Sequence, residues 1–237
     1  MKKINLRQVK GLFLDLDGTF YDYDPCNVAG KREAFTFLSD RLDRSIDEVE
    51  KAFISGRVKT KVPLKTVDRE LAASHSRLLY FQKAIEELTG QTHYSYILDA
   101  NRIFWSKFIE TMEIFPAAET FLKKAKAARK KTVIITDMTA KVQMQKILKL
   151  GIGPHIDFLV SSEEAGYEKP HAAPLELALA KTGLKPKEVV MIGEDEARDI
   201  KAAICANVTP IAIRYKPANP DVNFVKDFAA LTELLEL

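Results

Sequence analysis

A regular alternation of strand and helix patterns from Pro116 onward restricts the fold of this chain more than any other feature. Short runs of β-branched and other apolar residues predict strands at 132–135, 158–160, 189–192 and 209–213. Amphipathic patterns around these strands predict helices at 118–129, 141–150, 174–181, 197–206 and 227–235. Such alternation is typical of a parallel sheet with helices on both faces. This part of the chain therefore predicts an α/β fold.

The N-terminal part carries one strand pattern followed by a long helical block. Residues 9–16 are mostly apolar and are followed by Gly18, which predicts a short buried strand. We expect a loop or small flap at 20–25, where Pro25 acts as a breaker. Amphipathic spacing then predicts four helices that form a bundle-like module, at 29–42, from Ser45 to about Gly56, at 67–88 and at 94–112.

The order of these patterns predicts two domains. The first strand has to join the sheet of the later strands, so the helical block is an insertion between them. We expect an α/β core domain of residues 1–22 and 113–237, and an inserted helical domain of residues 23–112.

Two carboxylates one residue apart follow the first predicted strand. Asp15 and Asp17 lie at its C-terminal end, where open α/β sheets bind ligands. Residues i and i+2 of an extended chain point the same way, which would aim both carboxylates into one cavity if the extended path continues as far as Asp17. Two carboxylates this close repel each other, and a bound cation or a shared proton usually relieves the repulsion. The alternative is a plain strand-to-turn junction, in which Asp17 and Gly18 supply only turn chemistry.

The later strands also end in polar residues of definite types. Thr136-Asp137 offers a hydroxyl and backbone N–H groups near a helix start, which suit an anion. Lys169-Pro170 offers a compact positive charge on a stiffened loop. Gly193 is followed by a run of carboxylates that includes Glu194, Asp195 and Asp199. Because parallel strands bring their C-terminal ends to one edge, this set suits a divalent cation together with a phosphate.

These residue types are the ones that phosphoryl transfer requires. Mg²⁺ prefers a few carboxylates together with waters and substrate phosphate. One aspartate can attack phosphorus and form an aspartyl-phosphate, while a second carboxylate protonates the leaving oxygen and later activates water. A lysine and the metal neutralise the negative charge at the transferring group.

The motifs Asp15-Leu-Asp17-Gly-Thr19, Thr136-Asp137, Lys169-Pro170 and Gly193-Glu194-Asp195 with Asp199 resemble, in order and spacing, the four motifs of the haloacid dehalogenase superfamily. The resemblance covers nearly the whole chain. It implies a Rossmann-like core, and the helical insertion looks like that superfamily's helical cap of the first type.

Carried over residue by residue, the resemblance implies Asp15 as nucleophile and Asp17 as general acid/base, with the Asp17 backbone carbonyl on Mg²⁺. Thr136 and Lys169 would bind the phosphoryl group. The implied substrate-binding set also includes Gly18, Thr19 and Asp137. The implied metal ligands are Asp15, Asp17, Glu194 and Asp195.

Two departures from the superfamily pattern leave points open. Asp137 stands where Asn or another residue is usual, and its charge close to phosphate suggests that its side chain points away. Glu194-Asp195 replaces the frequent Gly-Asp pattern and also resembles the branch that includes β-phosphoglucomutase. Glu194, Asp195 and Asp199 therefore all remain candidate ligands. Asp17 disfavours dehalogenation, because superfamily members that cleave carbon–halogen bonds lack this second aspartate.

Composition excludes several other classes of function. The net charge of +3 is small, and the basic patch at 123–131 is explained by a solvated helix face, so nucleic acid is not an expected partner. The two cysteines, Cys26 and Cys205, form neither a disulfide framework nor a metal motif. No apolar run approaches the roughly 20 residues that span a bilayer. We expect a soluble cytoplasmic protein, a monomer or a homodimer.

These observations favour a Mg²⁺-dependent phosphatase of a small phosphorylated metabolite, such as a sugar phosphate, phosphoglycolate or a nucleoside monophosphate. A phosphomutase of the β-phosphoglucomutase type uses the same aspartyl-phosphate and is the first alternative. A non-catalytic binding module that keeps the fold is the second.

Overall fold

The computed structural model of the protein describes residues 8–64 and 71–237. The chain separates into two compact units: Met1–Asp22 with Glu113–Leu237, called the sheet unit below, and Tyr23–Met112, called the helical unit.

The strands are β1 Gly11–Leu14, β2 Lys131–Thr136, β3 Phe158–Ser161, β4 Val189–Gly193, β5 Thr209–Ile213 and β6 Asn223–Val225. The helices are α1 Tyr23–Leu42, α2 Ile46–Leu64, α3 Arg77–Thr89, α4 Tyr94–Thr111, α5 Ala118–Ala127, α6 Ala140–Lys149, α7 Ser162–Ala165, α8 Ala173–Thr182, α9 Lys201–Cys205 and α10 Phe228–Leu234. Within the described ranges, no helix combines the length and the apolar character that a bilayer crossing requires.

The sheet unit is built on one parallel sheet with the strand order β3-β2-β1-β4-β5-β6. This confirms the α/β prediction. Helices α8 and α9 share a buried cluster with Phe13 of β1 and Met191 of β4. Phe121 of α5 and Phe228 of α10 form a separate aromatic contact, with ring centroids 5.4 Å apart.

The strand order places a topological switch point at β1. The chain leaves β1 to form β2 and β3 on one side and then crosses back to form β4 on the other. The loops after β1, β2 and β4 therefore diverge around one crevice at the C-terminal ends of the strands, which is where open α/β sheets bind ligands.

The helical unit packs α1 against α4 and α2 against α3. Aromatic rings fill its core, with Phe53 and Phe81 centroids 4.9 Å apart and Phe104 and Trp105 centroids also 4.9 Å apart. Gly56 lets α2 and α3 approach closely, because a Cβ atom there would lie 2.5 Å from the Tyr80 carbonyl oxygen.

Several predicted boundaries in the helical part were wrong. The loop expected at 20–25 is shorter, because α1 begins at Tyr23 and Pro25 lies in its first turn, where a missing N–H is tolerated. Helix α2 does not end near Gly56 but continues to Leu64, since Gly56 serves helix packing rather than termination. The helix expected at 67–88 begins at Arg77, where Ser76 caps it, and its predicted start at 67–70 lies outside the described residues.

The sheet unit also differs from prediction in one edge strand and in the start of one helix. The edge strand β6 was missed, because three residues beginning with Asn223 give too short a pattern. The helix expected at 197–206 opens instead with a π-helical turn, Glu196–Ile200, before α9 begins.

The close approach of α2 and α3 generates a stability prediction. Gly56→Ala should lower the free energy of unfolding by about 1–2 kcal/mol, because overpacking against the Tyr80 carbonyl outweighs the better helix propensity of alanine. Urea denaturation of the two proteins measures the difference. Val58→Ala, at an exposed position of the same helix, is the control and should change the value by less than about 0.5 kcal/mol. An unchanged or higher stability of Gly56→Ala would contradict the packing role.

Candidate active site

A buried lysine joins two buried carboxylates at the C-terminal edge of the sheet. The Lys169 ammonium lies 2.6 Å from Asp15 Oδ1 and 2.6 Å from Asp199 Oδ1, and it also donates to the Ile135 carbonyl at 3.2 Å. All three charged side chains are nearly inaccessible to solvent. Asp15 directly follows β1, and its N–H donates to Ile192 of β4. Residues far apart in sequence therefore meet at the switch point.

The loop after Asp15 brings two more of the predicted residues to this edge. Thr19 is fully buried and donates its hydroxyl hydrogen to Asp15 Oδ2 at 3.1 Å. Gly18 has a left-handed backbone with φ of 83°. A Cβ atom at Gly18 would lie 2.2 Å from Glu194 Oε1, so the Glu194 carboxylate packs against this turn. The Gly18 carbonyl accepts a hydrogen bond from Arg214.

The second carboxylate of the first motif is held by three side chains. Lys146 Nζ lies 2.7 Å from Asp17 Oδ1 and 2.8 Å from Oδ2. Gln143 Nε2 donates to Oδ2 at 3.0 Å, and the Tyr21 hydroxyl donates to Oδ1. Burial raises the pKa of Asp17, but the Lys146 charge and the hydrogen bonds from Lys146, Tyr21 and Gln143 outweigh burial. The pKa of Asp17 is therefore lower than usual.

The loop after β2 places Thr136 and Asp137 differently. The Thr136 hydroxyl is buried and accepts from Gln143 Nε2 at 2.8 Å. The Asp137 carboxylate accepts the Lys169 backbone N–H at 3.0 Å and the Arg198 Nε hydrogen at 3.0 Å. Both oxygens of Asp137 thus anchor neighbouring loops, which leaves its backbone as the part able to contact an anion.

The carboxylates after β4 have separate structural partners. Asp195 Oδ1 accepts the backbone N–H groups of Ala197 and Arg198, and so caps the π-helical turn. The Asp195 N–H donates to Asp199 Oδ2 at 3.1 Å. Because Asp199 Oδ1 takes the Lys169 ammonium, both oxygens of Asp199 are engaged within the protein.

The pKa directions around Lys169 follow from burial together with crowded negative charge. Burial opposes the charged ammonium, yet Asp15, Asp199 and Asp137 outweigh it and raise the pKa of Lys169. Burial and the neighbouring Asp199 also raise the pKa of Asp15 well above its usual range, against the opposing effect of Lys169. One ammonium is therefore not enough to balance the carboxylates at this edge, so a further cation would be stabilised there.

Sequence reasoning missed three residues that organise this edge. Gln143 and Lys146 lie three apart on α6 and are fully buried, although neither belongs to an apolar residue type. Arg198 pairs with Asp137 and Glu168 at 2.8 and 2.7 Å. One signal in the sequence could have indicated the contact of Lys146 with Asp17. Lys146 lies on the inward face of the helix predicted at 141–150, and a buried lysine needs a charged partner.

Comparison with known proteins identifies the family. A model of the haloacid dehalogenase-like hydrolases matches residues 9–207. The chain belongs to this family and is therefore a hydrolase. This confirms two predictions from the sequence: membership of the superfamily and enzymatic activity.

Named relatives agree with this assignment, and a solved structure has the same fold. The chain is 33% identical to a ribulose-1,5-bisphosphate 5-phosphatase of Halopiger xanaduensis over 81% of this chain and 79% of that protein. It is 25% identical to a glyceraldehyde 3-phosphate phosphatase of Methanocaldococcus jannaschii over 97% and 96% of the two chains. A 2-haloacid dehalogenase structure from Pseudomonas syringae has the same fold, with a TM-score of 0.78, 19% identity and coverage of 96% and 98%.

The buried Lys169 pairs generate a stability prediction for the metal-free protein. Lys169→Met should lower the free energy of unfolding by about 3–5 kcal/mol, because it leaves Asp15 and Asp199 buried without a counter-ion. Adding Asp199→Asn should recover part of this loss. Denaturant titrations in the presence of a chelator measure both differences.

The same variant has an expected pH dependence. The pKa values of Asp15 and Asp199 are raised even with Lys169 present, and loss of the Lys169 charge should raise them further. Protonation of these carboxylates therefore stabilises folded Lys169→Met as the pH falls. The loss of unfolding free energy in this variant should shrink from about pH 7 to about pH 5. Lys123→Met removes an exposed pair with Glu119 and should cost far less than Lys169→Met at either pH. Equal losses in the two lysine variants would contradict the charge-balancing role of Lys169.

Proposed function

We propose that this hydrolase is a Mg²⁺-dependent phosphatase that acts on a small phosphorylated metabolite through an aspartyl-phosphate on Asp15. The observation that carries the proposal is the pairing of buried Asp15 with Lys169 beside a second carboxylate, Asp17, at the switch point of a parallel sheet. The phosphatase names of the two characterised relatives support it.

In the first step, an Asp15 carboxylate oxygen attacks phosphorus while the bond from phosphorus to the leaving oxygen breaks. The negative charge of the bound phosphoryl group opposes the Lys146 charge and favours protonated Asp17. Asp17 then gives its proton to the leaving oxygen, so that an alcohol departs and Asp15 carries the phosphoryl group. In the second step, water attacks phosphorus and gives a proton to Asp17, and the bond to Asp15 breaks. The cycle releases inorganic phosphate and restores both aspartates.

The phosphoryl group would be bound by cationic and N–H donors. Lys169 supplies positive charge beside Asp15, and Gln143 joins the Thr136 hydroxyl to the Asp17 carboxylate. We assign backbone N–H contacts to Gly18 and to Asp137, whose carboxylate is already engaged. The Thr19 N–H donates to the Leu16 carbonyl at 3.3 Å, so Thr19 acts by holding Asp15 through its hydroxyl. Preorganised donors of this kind stabilise the charge of a transferring phosphoryl group without reorganisation.

The donor set at this edge fits Mg²⁺. Within residues 8–64 and 71–237, no three His, Cys, Asp or Glu side chains are arranged as a metal cluster. Mg²⁺ usually combines one or two carboxylates with waters and substrate phosphate, so the Asp15 carboxylate, the Asp17 carbonyl and Glu194 are enough. When bound, Mg²⁺ supplies positive charge to the phosphoryl group and favours the ionised, nucleophilic form of Asp15. Asp195 and Asp199 are further candidates, although Asp195 caps the π-helical turn and both oxygens of Asp199 are engaged within the protein.

The names of the relatives support a proposal for the substrate class. Their names describe phosphate esters of small sugars, a pentulose bisphosphate and a triose phosphate. We propose a substrate of this size, a sugar phosphate or a related acid such as phosphoglycolate. We also propose that the two compact units are separate domains, and that the helical unit is the cap which the superfamily resemblance implies.

Two alternatives remain distinguishable by product analysis. A phosphomutase would return the phosphoryl group of Asp15 to a different oxygen and yield an isomeric ester, whereas a phosphatase releases inorganic phosphate in stoichiometric yield. A non-catalytic binding module would turn over no phosphate ester with Mg²⁺. The paired Asp15 and Lys169 and the presence of Asp17 argue against both the idle module and a dehalogenase.

Replacement of the nucleophile tests the proposal. The wild type should release phosphate from p-nitrophenyl phosphate and from members of a phosphorylated-metabolite screen with Mg²⁺ present, and excess chelator should abolish release. Asp15→Asn should lower turnover by at least about 10³-fold, because it removes the attacking charge at almost constant volume.

The control is Asp221→Asn, the same chemical change at an exposed position of the sheet unit, which should keep full activity. Circular dichroism checks that each variant is folded. Substantial turnover by folded Asp15→Asn, or none by the wild type on any ester, would refute the proposed function.

A further inference from the structure

A lysine that belongs to none of the four motifs is buried against Asp17, the second aspartate of the first motif. The Lys146 side chain is completely buried, and its ammonium contacts both oxygens of the Asp17 carboxylate at 2.7 and 2.8 Å. The Asp17 side chain keeps 21% of its surface exposed. The contact therefore joins a fully buried cation on α6 to a carboxylate that is still partly exposed.

Stability alone is a weak reason for a buried pair of this kind. Desolvation of two charges often cancels their attraction, and a well-packed apolar residue is frequently as stable. A buried ion pair does, however, restrict geometry. Two contacts from one ammonium to the two oxygens of Asp17 fix both the position and the rotation of the carboxylate.

A neighbouring glutamine links the same carboxylate to the loop after β2. Gln143 Nε2 lies 3.0 Å from Asp17 Oδ2, 2.8 Å from the Thr136 hydroxyl and 2.6 Å from the Asp137 carbonyl. Gln143 and Lys146 are one turn apart on α6, so this helix holds Asp17 and the Thr136 loop in one arrangement.

We propose that Lys146 is a positioning residue, which holds the Asp17 carboxylate at the point where it exchanges a proton with the leaving oxygen. The inference rests on the proposed function, in which Asp17 is the general acid and base. Lys146 acts through Asp17 and not on the phosphoryl group. Loss of Lys146 should therefore matter most when the leaving group needs a proton.

Comparison of two kinds of substrate tests this role. A p-nitrophenolate leaves without a proton, whereas an aliphatic alkoxide does not. Because kcat/KM reports only the steps up to release of the leaving group, it isolates the proton transfer to that group. For Lys146→Met, kcat/KM should fall by about 10²-fold or more with the best aliphatic ester of the screen, and by about threefold or less with p-nitrophenyl phosphate.

Lys149→Met is the matched control, because it makes the same change at an exposed position of α6. It should leave both values of kcat/KM unchanged. Thermal unfolding followed by circular dichroism establishes that each variant is folded at the assay temperature.

A double variant keeps the test decisive if Lys146→Met alone does not fold. Asp17→Asn with Lys146→Met carries no uncompensated charge at this pair. Its kcat/KM should match that of Asp17→Asn within about threefold for both substrates, because a residue that acts only through Asp17 has nothing left to position.

The outcomes separate this inference from the proposed function. Equal losses on both substrates in Lys146→Met, or a double variant far less active than Asp17→Asn, would show that Lys146 has another role. Unchanged activity of Lys146→Met on the aliphatic ester would also overturn the inference while the proposed function stands. Absence of phosphate release by the wild type would refute both.

Discussion

The pairing of the Lys169 ammonium with Asp15 and Asp199 is the interaction on which the rest of the site depends. Each contact is 2.6 Å long, and all three groups are buried, so neither carboxylate can lose this partner without a large desolvation cost. The pairing joins the end of β1 to the loop before α8 and to the turn after β4. These three segments lie far apart in the sequence of the sheet unit, and the Lys169 ammonium holds them together.

A second lysine makes the environments of the two motif aspartates different. Burial and the neighbouring Asp199 raise the pKa of Asp15, although Lys169 opposes them. The Lys146 charge and the hydrogen bonds that Asp17 accepts outweigh its burial and lower its pKa. A cation beside Asp15 and a phosphate beside Asp17 would each oppose these shifts. These shifts agree with the proposal that Mg²⁺ and a phosphate ester bind at this edge together.

Much of the site was accessible from sequence because parallel strands deliver their C-terminal ends to one edge. The positions of Asp15, Thr136 and Lys169 after apolar runs were therefore informative about the edge that they share. Lys146 and Gln143 escaped notice, since a lysine and a glutamine within a helix are usually solvated. The predictions that Gly56 and Pro25 interrupt helices were wrong for a related reason. Glycine can also allow close helix packing, and proline is also tolerated in the first turn of a helix.

The sequence by itself determined the fold class, the family and the order of the acidic, hydroxyl and cationic residues along the chain. These depend on local patterns, namely the strand and helix periods and the short motifs that follow strands. Only the tertiary structure decided which carboxylate pairs with which lysine, and that Asp137, Asp195 and Asp199 hold neighbouring loops. Such choices depend on distances of a few ångströms between segments far apart in the chain, and no local pattern encodes them.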